Sequence, residues 1–246
     1  MRLALPGITP VEVWDLVVGG RMLQAWRADA GFPARVAEMV WMIREAPPAT
    51  WSPQARALAR TIDRVHVAGG GADAAIADAI ATRIPCSRST DPYAAARTAS
   101  RLPGPSPALG VDLGQTGIKL ALADRTWRVE RDFARAPFRD DVPLADRDRA
   151  RASTIAWIAD ALASAGTFGH AVIGLPCELD ADGHPRSCTY AWRDPDPSFI
   201  PELGLPSVAI ANDAELAALA VHADPRSITL VLTIGFGVGG ALLSGR

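Results

Sequence analysis

The order of elements along the chain predicts an α/β protein built from two units. The stretch from residue 108 to 222 gives three strands, a helix, two further strands and a helix, which predicts a compact α/β unit. Two glycine-rich turns, at 114–117 and 235–240, each join a pair of β-type runs. The stretch PGPSP at 103–107 stops a helix and cannot continue a ladder, so it predicts a linker between the segments on either side of it.

Composition limits the classes of function. The chain has 246 residues, 49% hydrophobic and 21% charged, which is enough for one large or two small domains with real cores. A net charge of -2 without a basic stripe argues against nucleic acid and anionic membranes as partners. The three cysteines and four histidines are scattered, so no zinc site is predicted and a reducing cytoplasm is the simplest setting. No run approaches the ~20 apolar residues of a membrane span.

The elements after the linker are predicted from apolar periodicity and turn residues. ALGVDLG and GIKLALAD are β-type runs joined by Gly-Gln-Thr-Gly, which predicts a hairpin, and RTWRVERDFARAP extends it as a third strand. Apolar residues at helical spacing predict a helix over 147–165. The remaining predicted elements of this unit are the strands HAVIGLP at 170–176 and SVAIAND at 207–213 and a helix over 214–222.

A second unit is predicted from both ends of the chain. SITLVLTIGF and GGALLSG are strands around the second glycine-rich turn, and residues 1–6 are predicted as the third strand of that sheet. Helices are predicted over 11–30 and 34–45 in this unit, and a further helix is predicted over 91–102, before the linker. RVHVAGGGADAAIADAI at 64–80 predicts a strand that ends in three glycines and opens a helix, an arrangement that lets a ligand approach the backbone closely.

Three of these stretches resemble motifs of the actin-like ATPase superfamily. GVDLGQTGIKLALAD resembles its first phosphate motif, TIGFGVGGALLSG its second, and VHVAGGGADAAI its adenosine motif. GLPCELDADG, together with the Asn-Asp-Ala helix start at 212–214, is similar more narrowly to the ROK family of sugar kinases and repressors. The resemblance implies two RNase H-like lobes that close over ATP and Mg²⁺.

The motifs stand in an unusual order. The family runs phosphate one, Asn-Asp, phosphate two, adenosine, whereas here the adenosine motif precedes phosphate one. We therefore expect a circular permutation, with the family's usual ends joined through PGPSP, because exposed turns tolerate new ends. The expected lobes are residues 91–223, and residues 1–90 with 224–246.

The first phosphate turn carries the candidate nucleotide residues. The resemblance assigns Asp112, Gly114, Gln115, Thr116 and Lys119 to the nucleotide. The glycines let backbone N–H groups face phosphates, Thr116 offers a hydroxyl, and Asp112 at a strand end offers carboxylate oxygens to Mg²⁺. The alternative is a plain hairpin with a solvated lysine, and strand parity leaves open whether Lys119 faces the phosphates.

Asp213 is the candidate general base, because a carboxylate at a helix start beside a strand end can accept a hydroxyl proton. Asn212 is expected to bind hydroxyls of the acceptor, together with Pro176 and Cys177 in the loop after the buried strand. The alternative is an ordinary helix cap, since Asn and Asp are both favoured there. Glu215 is left open between site and surface.

The second phosphate turn and the adenosine loop consist of glycines. The resemblance assigns the following residues to ATP: Gly235, Gly237, Gly239, Gly240, Gly69, Gly70 and Gly71. A tight turn is the alternative for the triple glycine. Phe236 stands where the family usually has a threonine, and the family's Glu and His that grip the sugar are missing, with Glu12 and Asp15 as candidate replacements.

We expect a cytoplasmic ATP- and Mg²⁺-dependent kinase of a sugar or sugar-like polyol, with homodimerisation left open. The first alternative is a nucleotide-binding regulator or degenerate kinase of the same fold, favoured by Phe236 and by the missing sugar-gripping pair. The second is a ROK-type repressor, but neither the predicted front helices nor their charge suggests a helix-turn-helix segment.

Overall fold

The computed structural model of the chain describes residues 2–3, 5–13, 29–138, 141–179, 185–188, 199–205, 207–222, 224–235 and 237–245. The chain divides into two compact units, the first made of Met1–Ala4 with Ala95–Leu216 and the second of Leu5–Ala94 with Ala217–Arg246. The sequence places these divisions at 90/91 and 223/224 and assigns the first four residues to the second unit.

The predicted α/β class is confirmed, with two five-stranded mixed sheets and helices around them. The strands are β1 (Ile8–Val11), β2 (Arg64–Ala68), β3 (Cys86–Arg88), β4 (Ala108–Leu113), β5 (Gly117–Leu122), β6 (Arg125–Glu130), β7 (His170–Leu175), β8 (Cys177–Leu179), β9 (Pro185–Cys188), β10 (Val208–Asn212), β11 (Ile228–Ile234) and β12 (Val238–Ser244). The α-helices are α1 (Phe32–Glu45), α2 (Pro53–Ala59), α3 (Ala74–Ala81), α4 (Ala94–Ser100), α5 (Arg147–Ala163), α6 (Phe199–Glu202) and α7 (Asp213–Leu219).

The sheet of the first unit has the order β10-β7-β4-β5-β6. Strands β4, β5 and β6 are antiparallel neighbours, whereas β7 and β10 run parallel to β4. Gly110 in β4 lets helix α4 pack against the strand, since a Cβ there would lie 1.9 Å from the carbonyl oxygen of Ala96. The helix predicted over 147–165 is α5, which buries Ile155, Ile158 and Leu162 at helical spacing.

The sheet of the second unit has the order β1-β12-β11-β2-β3. Strands β1, β12 and β11 are antiparallel neighbours, and β2 and β3 run parallel to β11. A continuous core buries apolar side chains of these strands with one face each of α1 and α3. Read from β6 to β10 and from β1 to β3, the two sheets therefore show the same sequence of pairings, two antiparallel and then two parallel. The strands follow one another along the chain in a different order in each sheet.

The opening strand lies later than the sequence predicts. Residues 1–6 are not the third strand of the second sheet, because β1 begins at Ile8, after a turn in which Gly7 has φ 74°. Arg2 instead forms an isolated parallel bridge with Ile210 of the first unit, where the N–H of Leu3 donates to the Ile210 carbonyl at 2.7 Å. The helix predicted over 11–30 does not include Val11, which ends β1, and residues 14–28 lie outside the described residues.

Within the described residues, none of the helices combines the length and the apolar character that crossing a membrane requires.

Candidate active site

The carboxyl ends of three parallel strands bring the candidate residues of the first unit to one edge of its sheet. Asp112 lies near the end of β4, Pro176 follows β7, and Asn212 ends β10. The registers join these strands directly, with Asp112 opposite Gly174 and Asn212 opposite Leu175. In open α/β sheets, ligands bind at this edge.

The only lysine of the chain lies beside Asp112. Lys119 is the register partner of Asp112 across the β4–β5 hairpin, and its Nζ lies 2.8 Å from Asp112 Oδ2. The side chains are 17% and 19% exposed, so this ion pair is partly shielded from water. The lysine that the sequence leaves open is thus a charge partner of the candidate metal ligand.

The turn between these strands is tight. The N–H of Gly114 donates to the carbonyl of Gly117 at 3.1 Å, and a Cβ on Gly114 would lie 2.8 Å from that same oxygen. Thr116 is exposed at the tip, whereas Gln115 is buried. Thr116 is therefore open to solvent, and the side chain of Gln115 packs inside the unit.

Asp213 is the residue whose acidity the fold changes most toward a catalytic role. Burial first, and then the negative charge of Asp112, raise the pKa of its carboxyl group from 3.8 to about 7. The backbone N–H groups of Ala214 and Asp213 and the charge of Lys119 oppose that rise. A carboxyl group poised near neutral pH suits proton transfer.

The start of helix α7 is a capping box that holds Asp213 in place. Asn212 Oδ1 accepts from the N–H of Ala214 at 2.9 Å, and Glu215 Oε2 accepts from the N–H of Asn212 at 3.0 Å. The sequence leaves open whether Glu215 belongs to the site or to the surface. Glu215 is 4% exposed, so it is not a surface residue. Its other oxygen, Oε1, lies 3.3 Å from Arg2 Nη2.

The sequence gives no sign that Arg2 and Glu215 form a pair, because the two residues stand far apart along the chain. The bridge of Arg2 to Ile210 in β10 brings them together. The one signal in the sequence is the Asn-x-x-Glu spacing at 212–215, which is typical of a capping box.

The expected acceptor loop is tied to the same cap. The amide Nδ2 of Asn212 donates to the Cys177 carbonyl at 2.8 Å, so both polar atoms of the Asn212 side chain contact protein. Pro176 is partly exposed and Cys177 is buried. Cys177 is disulfide-bonded, and its Cα lies opposite that of Cys188 in the β8–β9 ladder.

The residues at this edge fit a magnesium nucleotide. Among the described residues, no group of three or more His, Cys, Asp or Glu side chains is placed to hold a metal ion by itself. Mg²⁺ on a nucleotide needs fewer, because one or two carboxylates complete a shell of phosphate and water oxygens. Asp112 offers such a carboxylate. The positive charge of Lys119 offsets part of the negative charge of Asp112 and Asp213.

The second unit brings the triple glycine to its own glycine turn. Gly69 follows β2 with φ 95°, and a Cβ there would lie 2.5 Å from the carbonyl oxygen of Ile234, the last residue of β11. The N–H of Gly71 donates to that same carbonyl at 2.7 Å. Only glycine fits such an approach, so the loop after β2 is locked to the end of β11.

The predicted glycines of the second turn separate into two kinds. Gly235 and Gly237 lie in the turn, closed by an N–H to carbonyl bond of 2.9 Å, and a Cβ on Gly235 would meet nothing within 4 Å. Gly239 and Gly240 lie inside β12, where a Cβ on Gly240 would be 2.9 Å from a methyl group of Val13. Gly240 thus makes room for the chain after β1, and Phe236 lies outside the described residues.

Thr233 is a residue that the sequence did not single out. It precedes Gly235 by the same interval at which Asp112 precedes Gly114, and each sits on the first strand of its hairpin. Its hydroxyl is buried and makes no hydrogen bond within the described part of the chain. The comparison of the two hairpins, rather than a motif, is the signal that identifies it.

A cavity of about 500 Å³ adjoins the triple glycine in the second unit. Its lining residues are Asp29, Ala30, Phe32, Pro33, Gly70, Gly71, Ala72, Asp73, Ala75 and Ile76. A Cβ on Gly70 would meet nothing within 4 Å, so the backbone is open to the cavity at that point. The volume falls within the range of small-molecule sites.

Of the two candidate replacements for the sugar-gripping pair, Glu12 lies within the described residues. Glu12 is exposed, and its carbonyl accepts from Trp51 Nε1 at 3.0 Å. Asp15 lies outside the described residues.

Comparison with protein-family models finds no match for this chain, and comparison with curated proteins finds no similar sequence.

Proposed function

We propose that the protein is an ATP-dependent phosphotransferase that acts on a hydroxyl group of a sugar or sugar-like polyol. The observation that carries the proposal is the placement of Asp213 and Asp112 at one sheet edge, with Lys119 paired to Asp112. Phosphoryl transfer to a hydroxyl uses a metal ion and a base beside the attacking oxygen, and Asp112 and Asp213 would supply the metal ligand and the base.

The roles are assigned from the contacts. Asp112 would hold Mg²⁺, which would supply positive charge to offset the negative charge that develops on the transferred phosphate. Asp213 would accept the acceptor's hydroxyl proton while that oxygen attacks the γ-phosphorus, and the bond from phosphorus to the bridging oxygen breaks to leave ADP. The exposed hydroxyl of Thr116 and the amides of its turn would hold the phosphates.

The second unit would bind the adenosine. Its cavity is lined by the backbone of Gly70 and Gly71 and by the carboxylate residues Asp29 and Asp73. Carboxylates suit ribose hydroxyls and disfavour phosphates, so the cavity fits a nucleoside better than an anion.

The proposal includes the finer architecture that the resemblance implies. A fold of two RNase H-like units in a circularly permuted order is supported by the identical strand order of the two sheets. It is supported also by the hydrogen bond from the N–H of Ser244 to the carbonyl of Gly7, at 2.8 Å, which joins the last strand to the turn before the first.

A nucleotide-binding regulator or degenerate kinase is the second candidate. It is favoured by the contacts of Asn212, whose side-chain oxygen and nitrogen both bind protein groups rather than standing open to an acceptor. It is also favoured by Phe236, whose phenyl ring cannot donate a hydrogen bond to a phosphate.

A screen of sugars, aminosugars and cyclitols for ADP release from MgATP tests the proposal. We expect at least one acceptor to raise ADP release by the wild type and not by Asp213→Asn. Tight ATP binding with no acceptor-dependent release in either protein would favour the regulator.

A further inference from the structure

Arg131 is a charged residue enclosed in the first unit, directly after β6. It is 5% exposed, yet its guanidinium donates to four oxygens from three segments of the chain. The bonds are Nε to the Ala136 carbonyl at 2.6 Å, Nη1 to the Gln115 carbonyl at 3.2 Å, Nη2 to the Pro137 carbonyl at 3.1 Å and Nη2 to Thr154 Oγ1 at 2.7 Å. All four acceptors are neutral.

Aromatic rings complete this enclosure. The guanidinium carbon lies 4.6 Å from the ring centroid of Phe138, 5.3 Å from that of Trp157 and 5.7 Å from that of Phe133. Burial lowers the pKa of Arg131 to about 10, while the charge of Asp141 acts in the opposite direction. Burying a cation is costly. The hydrogen bonds of Arg131 offset part of that cost, and they hold the chain segments that supply the acceptors, which an apolar side chain could not do.

What these bonds fix is the candidate phosphate turn. Arg131 contacts the turn twice, because its backbone N–H also donates to the Thr116 carbonyl at 3.0 Å. In a planar trans peptide the carbonyl and the N–H point in opposite directions. With the carbonyls of Gln115 and Thr116 directed at Arg131, the N–H groups of Thr116 and Gly117 are directed away from it.

We propose that Arg131 is a positioning residue for nucleotide binding, which holds the 114–117 turn so that its amide N–H groups face the phosphates. The inference rests on the proposed function, since it assigns the phosphate contact to this turn. Arg131 itself touches carbonyls and rings, not the ligand, and acts through the turn. The side chain of Thr154 ties the same guanidinium to α5, which gives the turn a rigid support.

The experiment compares ATP with adenosine, because only ATP carries the phosphates that the turn would bind. We expect Arg131→Met to raise the Kd for ATP at least tenfold while the Kd for adenosine stays within twofold. Arg131→Lys keeps the charge but not the forked geometry, so we expect an intermediate rise. Equal weakening of both ligands, or no weakening of either, would overturn the proposal.

Ile158→Ala is the matched control for lost stability. Ile158 is buried in α5, one residue after Trp157, and its truncation destabilises the same unit without touching the turn. We expect this variant to bind ATP and adenosine like the wild type at a temperature where it is folded. A tenfold loss of ATP affinity in Ile158→Ala as well would mean that stability, not the turn, sets the affinity.

Two further measurements keep the proposal separate from folding and from the proposed function. If Arg131→Met does not fold, Thr154→Val removes one acceptor and should raise the Kd for ATP alone by about twofold to fivefold. Hydrogen exchange of residues 114–117 should be faster in the Arg131 variants than in Ile158→Ala, even if the wild type binds no ATP. Unchanged exchange there would reject the positioning role, whereas faster exchange with no ATP binding would reject only the proposed function.

Discussion

Loss of solvation at the partly buried start of α7, together with the negative charge of Asp112, raises the pKa of Asp213 to about 7. A general base works only when it is deprotonated, so we expect kcat/KM for the acceptor to rise with pH through about 7. In Asp213→Asn this rising limb should be absent and kcat should fall by about 10² to 10⁴. Asp124→Asn, at an exposed position in the β5–β6 turn, is the control and should keep the limb.

The same carboxyl group makes the stability of the fold depend on pH. Because the pKa is raised from 3.8 to about 7 in the folded state, the native protein holds the proton longer, and its stability falls as pH rises between those values. Asp213→Asn removes this loss. The free energy of unfolding of the variant, relative to that of the wild type, should therefore be about 1–3 kcal/mol higher at pH 8 than at pH 4. Urea unfolding at both pH values measures the gain, and a difference between the proteins that does not change with pH would contradict the assigned pKa.

Lys119 opposes the rise in the pKa of Asp213. Lys119→Met should therefore shift the rising limb of the pH profile to higher pH, whereas Lys119→Arg should leave it near its wild-type position. The limb is read from kcat/KM between pH 5 and pH 9. A limb that stays in place in Lys119→Met would show that the lysine does not act on the base.

At the scale of elements, the capping box of α7 links stability to the site. Glu215→Ala removes the acceptor for the Asn212 N–H and leaves Arg2 without this carboxylate, so we expect a loss of about 1–3 kcal/mol in the free energy of unfolding. Glu38→Ala breaks the exposed pair of Glu38 with Arg83 and should cost less than about 1 kcal/mol. Equal losses in denaturant titrations would mean that the cap contributes nothing beyond a surface ion pair.

Two glycines in the loop after β2 allow the fit of the backbone and the binding of a ligand to be tested separately. Gly70→Ala adds a Cβ that meets no atom within 4 Å, so the midpoint of thermal unfolding should stay near that of the wild type, while the Kd for adenosine should rise because the Cβ enters the cavity. Gly69→Ala should lower the midpoint, since φ is 95° and the Cβ meets the Ile234 carbonyl. Unchanged adenosine binding in Gly70→Ala would place the nucleoside elsewhere.

Patterns among neighbouring residues predicted many of the helices and strands. They did not predict contacts between residues that lie far apart in the sequence. The β4–β5 and β11–β12 hairpins are predictable from glycine turns between apolar runs, which act within a few residues. Strand β1 was placed too early, because its four residues include Pro10 and only pairing with β12 defines it. The Lys119 pair with Asp112 depends on hairpin register, and Arg131 draws its partners from three segments that no spacing connects.

At the scale of the whole molecule, the two sheets repeat one strand order, and each carries a glycine turn at the end of its central parallel strand. Strands β1 and β12 are antiparallel neighbours in the sheet of the second unit, although they lie far apart in the sequence. The sequence showed the two turns but not the repeat, since the units share motifs of only a few residues. The candidate base Asp213 and the carboxylate Asp112 belong to the first unit, and the cavity beside Gly70 belongs to the second.

Transfer of phosphate to a hydroxyl is the event on which the proposed function depends. The measurement is ³¹P NMR of MgATP incubated with the wild type and each polyol of the panel, with Asp213→Asn as the matched variant. We predict that one acceptor yields a phosphomonoester signal that grows in step with ADP, and that Asp213→Asn yields neither at a comparable rate. ATP that remains intact with every acceptor, although the protein binds it, would contradict the assignment of a kinase.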